Sequence, residues 1–335
     1  MANQPLIYII ILNWNGWQDS LKCLESLRKL NYENYRVLLI DNGSENDSVE
    51  QIKAWSTGIE LSAKTSQISH NISTLQKTGI DCSLINLNQN VLLITNKTNL
   101  GFSGGCNIGI TYALEQMAEY VFLLNNDARV QPDIFNHLVF VSEEVNAAIV
   151  GARVFDDTAN NVLFSGAEWP KELFLSGSGA KYKAGQNFWE SSYAEGSAIL
   201  LRRDFLEQRS SECGYFLDPT LFMYCEDTEI CIYARKHGHR CVIARDALIY
   251  HKISNSSGGR GNPRSFYYIT RNRIFVAQRW LNLFWKICFH LYYAPSRLIL
   301  QIIRFRKTNI LVSLAVIQGM IDGYLNVSGK WKKHD

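Results

Sequence analysis

The sequence has no Cys-x-x-Cys pair and no zinc-finger spacing, although it contains eight cysteines. Several of these sit within apolar periodic stretches, which is the pattern of buried free thiols in a reducing compartment. No stretch reaches the roughly 18 uninterrupted apolar residues of a membrane-spanning helix, and Ile310 to Met320 is too short to cross. The apolar run Leu6 to Leu12 lacks a basic flank and ends in Asn13-Trp14-Asn15, so a secretory signal is not expected. No glycine-rich segment has P-loop spacing or GxGxxG followed by a ribose-binding acid. Acids are nearly missing from the last quarter: from His251 onward 14 Lys and Arg face only Asp322 and Asp335, whereas the first 250 residues hold 20 basic and 29 acidic side chains. An acidic body with a basic tail points to an anionic partner, either nucleic acid or a membrane surface.

What is present is an alternation of strands and helices. Leu6 to Leu12 reads as a first strand, and Asp19 or Ser20 can cap a helix carrying Leu21, Leu24, Leu27 and Leu30. Arg36 to Ile40 is a second strand, ending in Asp41-Asn42-Gly43-Ser44, before a helix with Val49, Ile52 and Trp55. Residues 56–90 are rich in Ser, Thr, Asn and Gln and read as a polar insertion. Val91 to Thr95 is a third strand, leading into Asn99 to Gly109, whose glycines would let a phosphate or nucleotide approach the backbone at a helix start. The fourth strand, Tyr120 to Leu124, delivers Asn125-Asn126-Asp127; a helix opened by Pro132 and a fifth strand, Ala148 to Val154, follow. Such alternation predicts a parallel, doubly wound sheet, and ligands of such sheets sit beyond the carboxyl ends of the strands. A carboxylate flanked by amides there suits a hard divalent cation; an Asx-turn or helix cap is the plainer use of the same residues.

Further along, Phe155 to Ser192 is irregular, and Glu195 to Arg203 is another strand and turn. Phe222 to Glu229 places three acids at a helix start, where the helix dipole alone would favour them. Arg240 to Tyr250 is strand-like and ends in His251.

In this order, Ile10 to Asn15, Asp41 to Ser44, Asn99 to Gly105, Leu124 to Asp127, Gly196 to Ala198, Phe222 to Asp227 and His251 resemble glycosyltransferase family 2. These are the inverting GT-A enzymes, and the likeness is to the bacterial rhamnosyltransferase-like branch that builds cell-surface polysaccharides. It spans roughly residues 6 to 280 without the insertion. The resemblance implies a GT-A, Rossmann-like, mostly parallel sheet with flanking helices over residues 1–262, and a basic, aromatic helical tail over 263–335. It implies a nucleotide-sugar donor (dTDP- or UDP-linked) and a glycan or lipid-linked acceptor. Donor contacts fall on Asn13, Asp41, Asn42, Gly101, Gly104, Gly105, Asn107, Asn125 and Asn126. Asp127 takes the metal-contacting place of the DxD motif, with Asn125 where the first acid stands, and His251 completes a Mn2+ or Mg2+ site. Asp227 resembles the catalytic base, beside Glu226.

The chemistry asks for such groups independently. A cation stabilises charge on a departing diphosphate, and a carboxylate on the opposite face takes the acceptor proton. A sugar-nucleotide pyrophosphorylase would carry a basic glycine-rich loop after the first strand, where this chain has Asn13-Trp14-Asn15-Gly16. A non-catalytic nucleotide-sugar-binding scaffold subunit is the alternative suggested by Asn125, and Asp127, Glu226 and Asp227 together argue against it. Nucleic-acid binding would explain the basic tail without the paired carboxylates, so no nucleic acid is expected. In the tail, Leu281, Phe284, Trp285, Cys288, Phe289 and Tyr292 share one helical face, and Pro295 can open a second helix with Leu298, Ile299 and Ile302. Aromatic anchors beside Lys and Arg suit an interfacial helix on anionic lipid. The expected location is therefore cytoplasmic and peripheral, on the inner face of the cell membrane. The competing use of these faces is packing on the catalytic body or on a second copy of the chain.

Overall fold

The computed structural model describes residues 4–57, 82–87, 90–168, 178–179, 185–252, 262–304 and 310–332. Apolar, β-branched runs form β1 (Ile7–Asn13) and β2 (Tyr35–Asp41), with α1 (Trp17–Leu27) between them and α2 (Ser48–Thr57) after. Next come β3 (Cys82–Asn86), β4 (Val91–Asn96), α3 (Gly101–Glu115), β5 (Tyr120–Asn125) and the short β6 (Ala128–Val130). α4 (Ile134–Val145) leads to β7 (Ala147–Asp156), β8 (Val162–Phe164), β9 (Ala167–Glu168), β10 (Ser178–Gly179), β11 (Phe188–Glu190) and β12 (Ala198–Arg202). α5 (Arg203–Cys213), a 3-10 turn at Pro219–Leu221, α6 (Glu226–Lys236) and β13 (Arg240–His251) complete the sheet, and α7 (Pro263–Trp280), α8 (Leu283–Arg304) and α9 (Ile310–Tyr324) follow.

The main sheet runs β11-β13-β7-β12-β5-β1-β2-β4-β3. Strands β4, β2, β1 and β5 are parallel, as the alternation predicts, but β12 enters antiparallel between β5 and β7, making the sheet mixed. Successive side chains point to opposite faces, so each strand feeds two cores. Ile7, Ile9, Ile11, Val37 and Leu39 meet Leu24 and Leu27 of α1 and Phe135 of α4 on one face. Tyr8, Ile10, Leu38 and Ile40 meet Ile108 and Tyr112 of α3 and Ile230 of α6 on the other.

Register is what assembles the site. Asn13 lies opposite Asp41, and Leu12 opposite Asn125, so β1, β2 and β5 end level at one edge. Because β12 is reversed, its first residue, Ala198, pairs with Leu124 and brings Glu195–Ser197 to the same edge. β13 pairs His251 with Ala128 of β6, which sets the histidine beside Asp127.

Two expectations are revised here. Residues 82–86 of the expected polar insertion are β3, an antiparallel edge strand on β4, while 58–81 lie outside the described residues. The Gly101–Gly109 segment is helix from its first residue, and its glycines serve packing. A Cβ on Gly105 would stand 2.4 Å from Leu12 Cδ1, and one on Gly109 2.8 Å from Ile40 Cδ1. The glycines thus let α3 lie close on β1 and β2.

The tail departs from its expected faces. α8 continues through Pro295 instead of restarting there. Leu281, Phe289 and Tyr293 are buried with Ile274, Val316 and Met320, and Trp285 packs beside them. Phe284 and Tyr292, assigned to the same face from the sequence, are exposed together with Leu283, Ile287 and Leu291. α9 presses Gly319 and Gly323 onto α7, where a Cβ on Gly319 would lie 2.5 Å from Tyr267 O. Its other side exposes Ile310, Leu314, Ile317, Ile321 and Leu325. The tail helices are therefore apolar on two sides, one packed inward and one open. Among the described residues no helix is long and apolar enough to cross a membrane.

Candidate active site

At the β1–β2 edge, Asn13 Nδ2 donates to Asp41 Oδ2 at 2.7 Å, and Ser44 donates to Asp41 through its amide (3.0 Å) and its hydroxyl (2.6 Å). Ser20 does not cap α1; its hydroxyl donates to Asn13 Oδ1 at 2.8 Å and accepts from Asn126 Nδ2 at 3.1 Å. A carboxylate offers about four acceptor positions, so Asp41 keeps one after three bonds. Asn42 is a clamp between strand end and helix: Nδ2 donates to Gly101 O at 2.9 Å, and Oδ1 accepts from Leu100 N at 3.2 Å. Asn107, expected beside the donor, has both amide atoms engaged by Leu217, at 2.7 Å to its carbonyl and 2.8 Å from its amide. Gly101, Gly104 and Gly105 face Phe222, Leu100 and Leu12 respectively. The three glycines allow the close approach, and the Asn107 amide ties α3 to Leu217.

On the β5 side, His251 Nε2 donates to Asp127 Oδ1 at 2.9 Å, with Asn125 Nδ2 3.3 Å from the same nitrogen. Burial alone would lower the His251 pKa, but the hydrogen bond and charge of Asp127 and the charge of Glu195 outweigh it and raise it. Among the described residues no group of three His, Cys, Asp or Glu side chains converges as a ready-made metal cage. The donor set of one carboxylate and one imidazole still fits a divalent cation that keeps waters and takes further oxygens from a diphosphate.

The third part comes from α6. Asp227 Oδ2 accepts from Gly196 N at 3.1 Å and Oδ1 from Thr228 N at 2.6 Å, and the Tyr193 phenol also bonds it. Burial nevertheless raises the Asp227 pKa against these bonds. Glu226 is pushed up to about 8 by burial and by the charge of Asp227, and its Oε2 has no hydrogen-bond partner among the described residues. The third acid, Glu229, is spent on a fully buried ion pair with Arg209 and accepts from Trp280 Nε1 at 3.0 Å. Arg202, on the neighbouring strand β12, bonds Asp204 at 2.6 Å.

Sequence reasoning missed Glu195. Burial raises its pKa to about 7, the charge of His251 offsets part, and Asp227 and Asp127 push it further up. Glu195 therefore has its carboxyl within electrostatic reach of both Asp127 and Asp227. The turn it begins joins them: Gly196 N holds Asp227, and Ser197 O accepts from Asn125 N at 3.0 Å. The signal was present as an acid preceding Gly-Ser at a strand start, without periodicity to mark it.

The acid pair enters α6 through strained backbone. Phe222 (φ 65°), Tyr224 (φ 67°) and Cys225 (φ 71°) are left-handed without being glycine. Each such residue costs on the order of 1–3 kcal/mol and persists only where surrounding contacts dictate it.

The family model described as "Glycosyl transferase family 2" matches residues 8–70 and 78–210, more than half of the chain. The low-salt glycan biosynthesis hexosyltransferase Agl10 of Haloferax volcanii is 28% identical over 142 residues, 41% of this chain and 44% of that protein. The chain thus spans under half the length of that relative. The dTDP-rhamnosyl transferase RfbF of Shigella flexneri is 24% identical over 255 residues, covering 75% of this chain and 70% of the relative. Among solved structures, the mannosyltransferase PcManGT from Pyrobaculum calidifontis, in complex with GDP-Man and Mn2+, superposes with a TM-score of 0.57 at 12% identity. That match covers 98% of this chain and 89% of the other, and the shared architecture is the GT-A fold with helices appended. With the family model spanning the strand ends that carry Asn13, Asp41, Asp127 and Glu195, the chain belongs to glycosyl transferase family 2.

Proposed function

We propose that the chain is an inverting, metal-assisted glycosyltransferase that moves a sugar from a dTDP- or UDP-linked donor to a glycan or lipid-linked acceptor. The observation that carries this reading is the Glu195–Ser197 turn, which ties the Asp127 side of the site to the Asp227 side through two backbone bonds. In this reading Asp41 and Asn13 meet the nucleoside, and the amides Asn125 and Asn126 line the way to the diphosphate. Asp127 and His251 would hold the divalent cation, which when bound neutralises charge on the departing diphosphate. Asp227 accepts the acceptor hydroxyl proton as the new glycosidic bond forms. Gly196, Thr228 and Tyr193 orient its carboxylate, and burial keeps it basic enough to act. Glu195, which begins the turn joining the two sides and senses both acids, is the residue we assign to hydrogen-bond sugar hydroxyls.

The relatives supply the donor classes: RfbF is named for dTDP-rhamnose, and Staphylococcus aureus TarS, a structural neighbour, was solved with UDP-GlcNAc. We place the enzyme peripherally on an anionic, cytoplasmic membrane face, through the open apolar sides of α8 and α9 and the basic residues near them. The test is a thermal-shift screen of dTDP-, UDP- and GDP-sugars with Mn2+ or Mg2+, followed by nucleoside diphosphate release with and without acceptor. Metal-dependent stabilisation by one donor class supports the reading. Binding without turnover by any acceptor preparation would leave a nucleotide-sugar scaffold in its place.

A further inference from the structure

The three left-handed residues before Glu226-Asp227 need something to hold them, and the contacts come from α7. Asn272 is fully buried, and its Nδ2 lies 2.9 Å from Leu221 O, 2.8 Å from Met223 O and 2.8 Å from Tyr224 O. Two amide hydrogens thereby serve three carbonyls that a left-handed path turns inward, away from ordinary helix or strand partners. Arg271, also fully buried, fixes the orientation of that amide: its Nε donates to Asn272 Oδ1 at 3.0 Å. Its terminal nitrogens donate to Leu221 O at 2.9 Å and to Gly329 O at 2.7 Å. The guanidinium lies 4.9 Å from the Tyr268 ring centre and 5.3 Å from that of Tyr267, so aromatic faces and carbonyls meet its charge. Two further contacts close the segment. Tyr224 OH and Ser265 Oγ are 2.8 Å apart, and the Phe222 ring stacks on Tyr268 at 5.5 Å. Phe222 O also accepts from Ser103 N of α3 at 3.3 Å, so the same segment touches the donor-side helix.

We propose that Asn272, aligned by Arg271, is the positioning residue of the general base: it locks residues 222–225 in the left-handed path that fixes where Glu226 and Asp227 face, and this rests on the sugar-transfer reading above. Neither residue reaches the acid pair, so each acts through the backbone alone. A small shift of a positioned group is enough to cost rate, while donor contacts at Asn13, Asp41 and Asp127 lie on other elements.

The experiment uses the full chain carrying Asn272→Asp, which removes both donors at constant size, and Asn272→Ser, which keeps one. Hydrogen exchange is followed at residues 222–228 and at β1, β2 and β5. Binding of UDP and dTDP with Mn2+ is measured by calorimetry, and turnover by nucleoside diphosphate release from UDP-GlcNAc and dTDP-rhamnose. Asn272→Asp is expected to speed exchange at 222–228 tenfold or more with the central strands unchanged. Turnover should fall on the order of 10- to 100-fold with donor KM and nucleotide affinity within about twofold. The acid limb of the kcat profile should move as Asp227 loses its alignment with Gly196, and Asn272→Ser should lie between. If the first variant does not fold, the second decides. Wild-type exchange at 222–228 in a folded variant overturns the proposal, as does an equal loss in kcat and nucleotide affinity. A wild type that releases no diphosphate from any donor sinks the transfer reading instead, and the exchange result then judges the lock by itself.

Discussion

Gly196 N donates to Asp227 Oδ2 at 3.1 Å, and the glycine leaves no room for anything larger, since an added Cβ would stand 3.3 Å from Asp227 Cβ. This contact fixes the distance from the acid on α6 to the β5 edge. Asp227→Asn should therefore keep nucleotide affinity while lowering transfer on the order of 100-fold or more, the usual loss for a positioned base. Gly196→Ala should lower kcat by a smaller factor with donor KM unchanged, because it pushes the carboxylate a few tenths of an ångström. Steady-state kinetics on both variants, beside Glu226→Gln, checks the assignment within the pair. An inactive Glu226→Gln with an active Asp227→Asn would reverse it.

Asp127 and His251 share one hydrogen bond of 2.9 Å and are the two side chains we propose as cation ligands. Asp127→Ala should abolish the Mn2+-dependent part of nucleoside diphosphate binding, and His251→Ala should weaken it by roughly 10- to 100-fold, as loss of a metal-site partner does. Calorimetry with and without chelator separates this from direct nucleotide contacts. Equal affinities in wild type and Asp127→Ala, each insensitive to chelator, would remove the metal from this place.

The buried acids set a pH dependence of stability. Glu226 moves from an ordinary 4.5 to about 8 on folding, and Glu195 to about 7. Between the unfolded and folded values the native state holds protons that the unfolded chain has released. Stability is then fully present below about pH 4.5 and is lost as pH rises through the folded values. For one such group the slope is at most about 1.4 kcal/mol per pH unit. Glu226→Gln, which mimics the protonated form, should match wild type near pH 4.5 and exceed it increasingly towards pH 8. Urea unfolding at three pH values measures this, and parallel curves for the two proteins would show that the Glu226 pKa does not change on folding.

Much of the frame was legible because period-2 apolar runs and capped amphipathic stretches record burial directly. β1, β2, β4 and β5 lie where those runs predict, and the carboxylates at their ends are level because parallel register requires it. The reversal of β12 was not legible, since a strand buried on both faces reads alike in either direction. Glu195 reaches the site only through that reversal. The packing role of the α3 glycines was not legible, because close approach to a phosphate and to Leu12 ask for the same missing Cβ. Arg271 and Asn272 sat inside an ordinary amphipathic helix, and only the left-handed path of Phe222, Tyr224 and Cys225 gives them a task.

The open sides of α8 and α9 carry large apolar side chains into solvent. Leu291 is 74% exposed, Ile287 52% and Leu314 56%, far from what a solvated helix of a monomer requires. The two helices touch where His290 Nδ1 and Tyr324 OH lie 3.0 Å apart. From His251 on the sequence carries 14 basic side chains and two acids, and one of those acids, Asp322, is buried on Tyr267. An open apolar area on a segment with a large excess of basic over acidic residues fits anionic lipid better than a second copy of the same positive segment. Each basic residue near such a surface contributes about 1 kcal/mol, weakening with salt. Truncating the tail is the wrong test, because Phe289, Tyr293 and Met320 are core. Leu291→Glu with Leu314→Glu changes only the open sides and should leave the melting temperature within a few degrees. The full chain should float with vesicles containing phosphatidylglycerol at low salt, release at high salt, and not float once the two glutamates are present. A wild type that stays soluble with these vesicles, and whose mass in solution falls from dimer to monomer on the double substitution, would make the open sides an interface between copies of the chain.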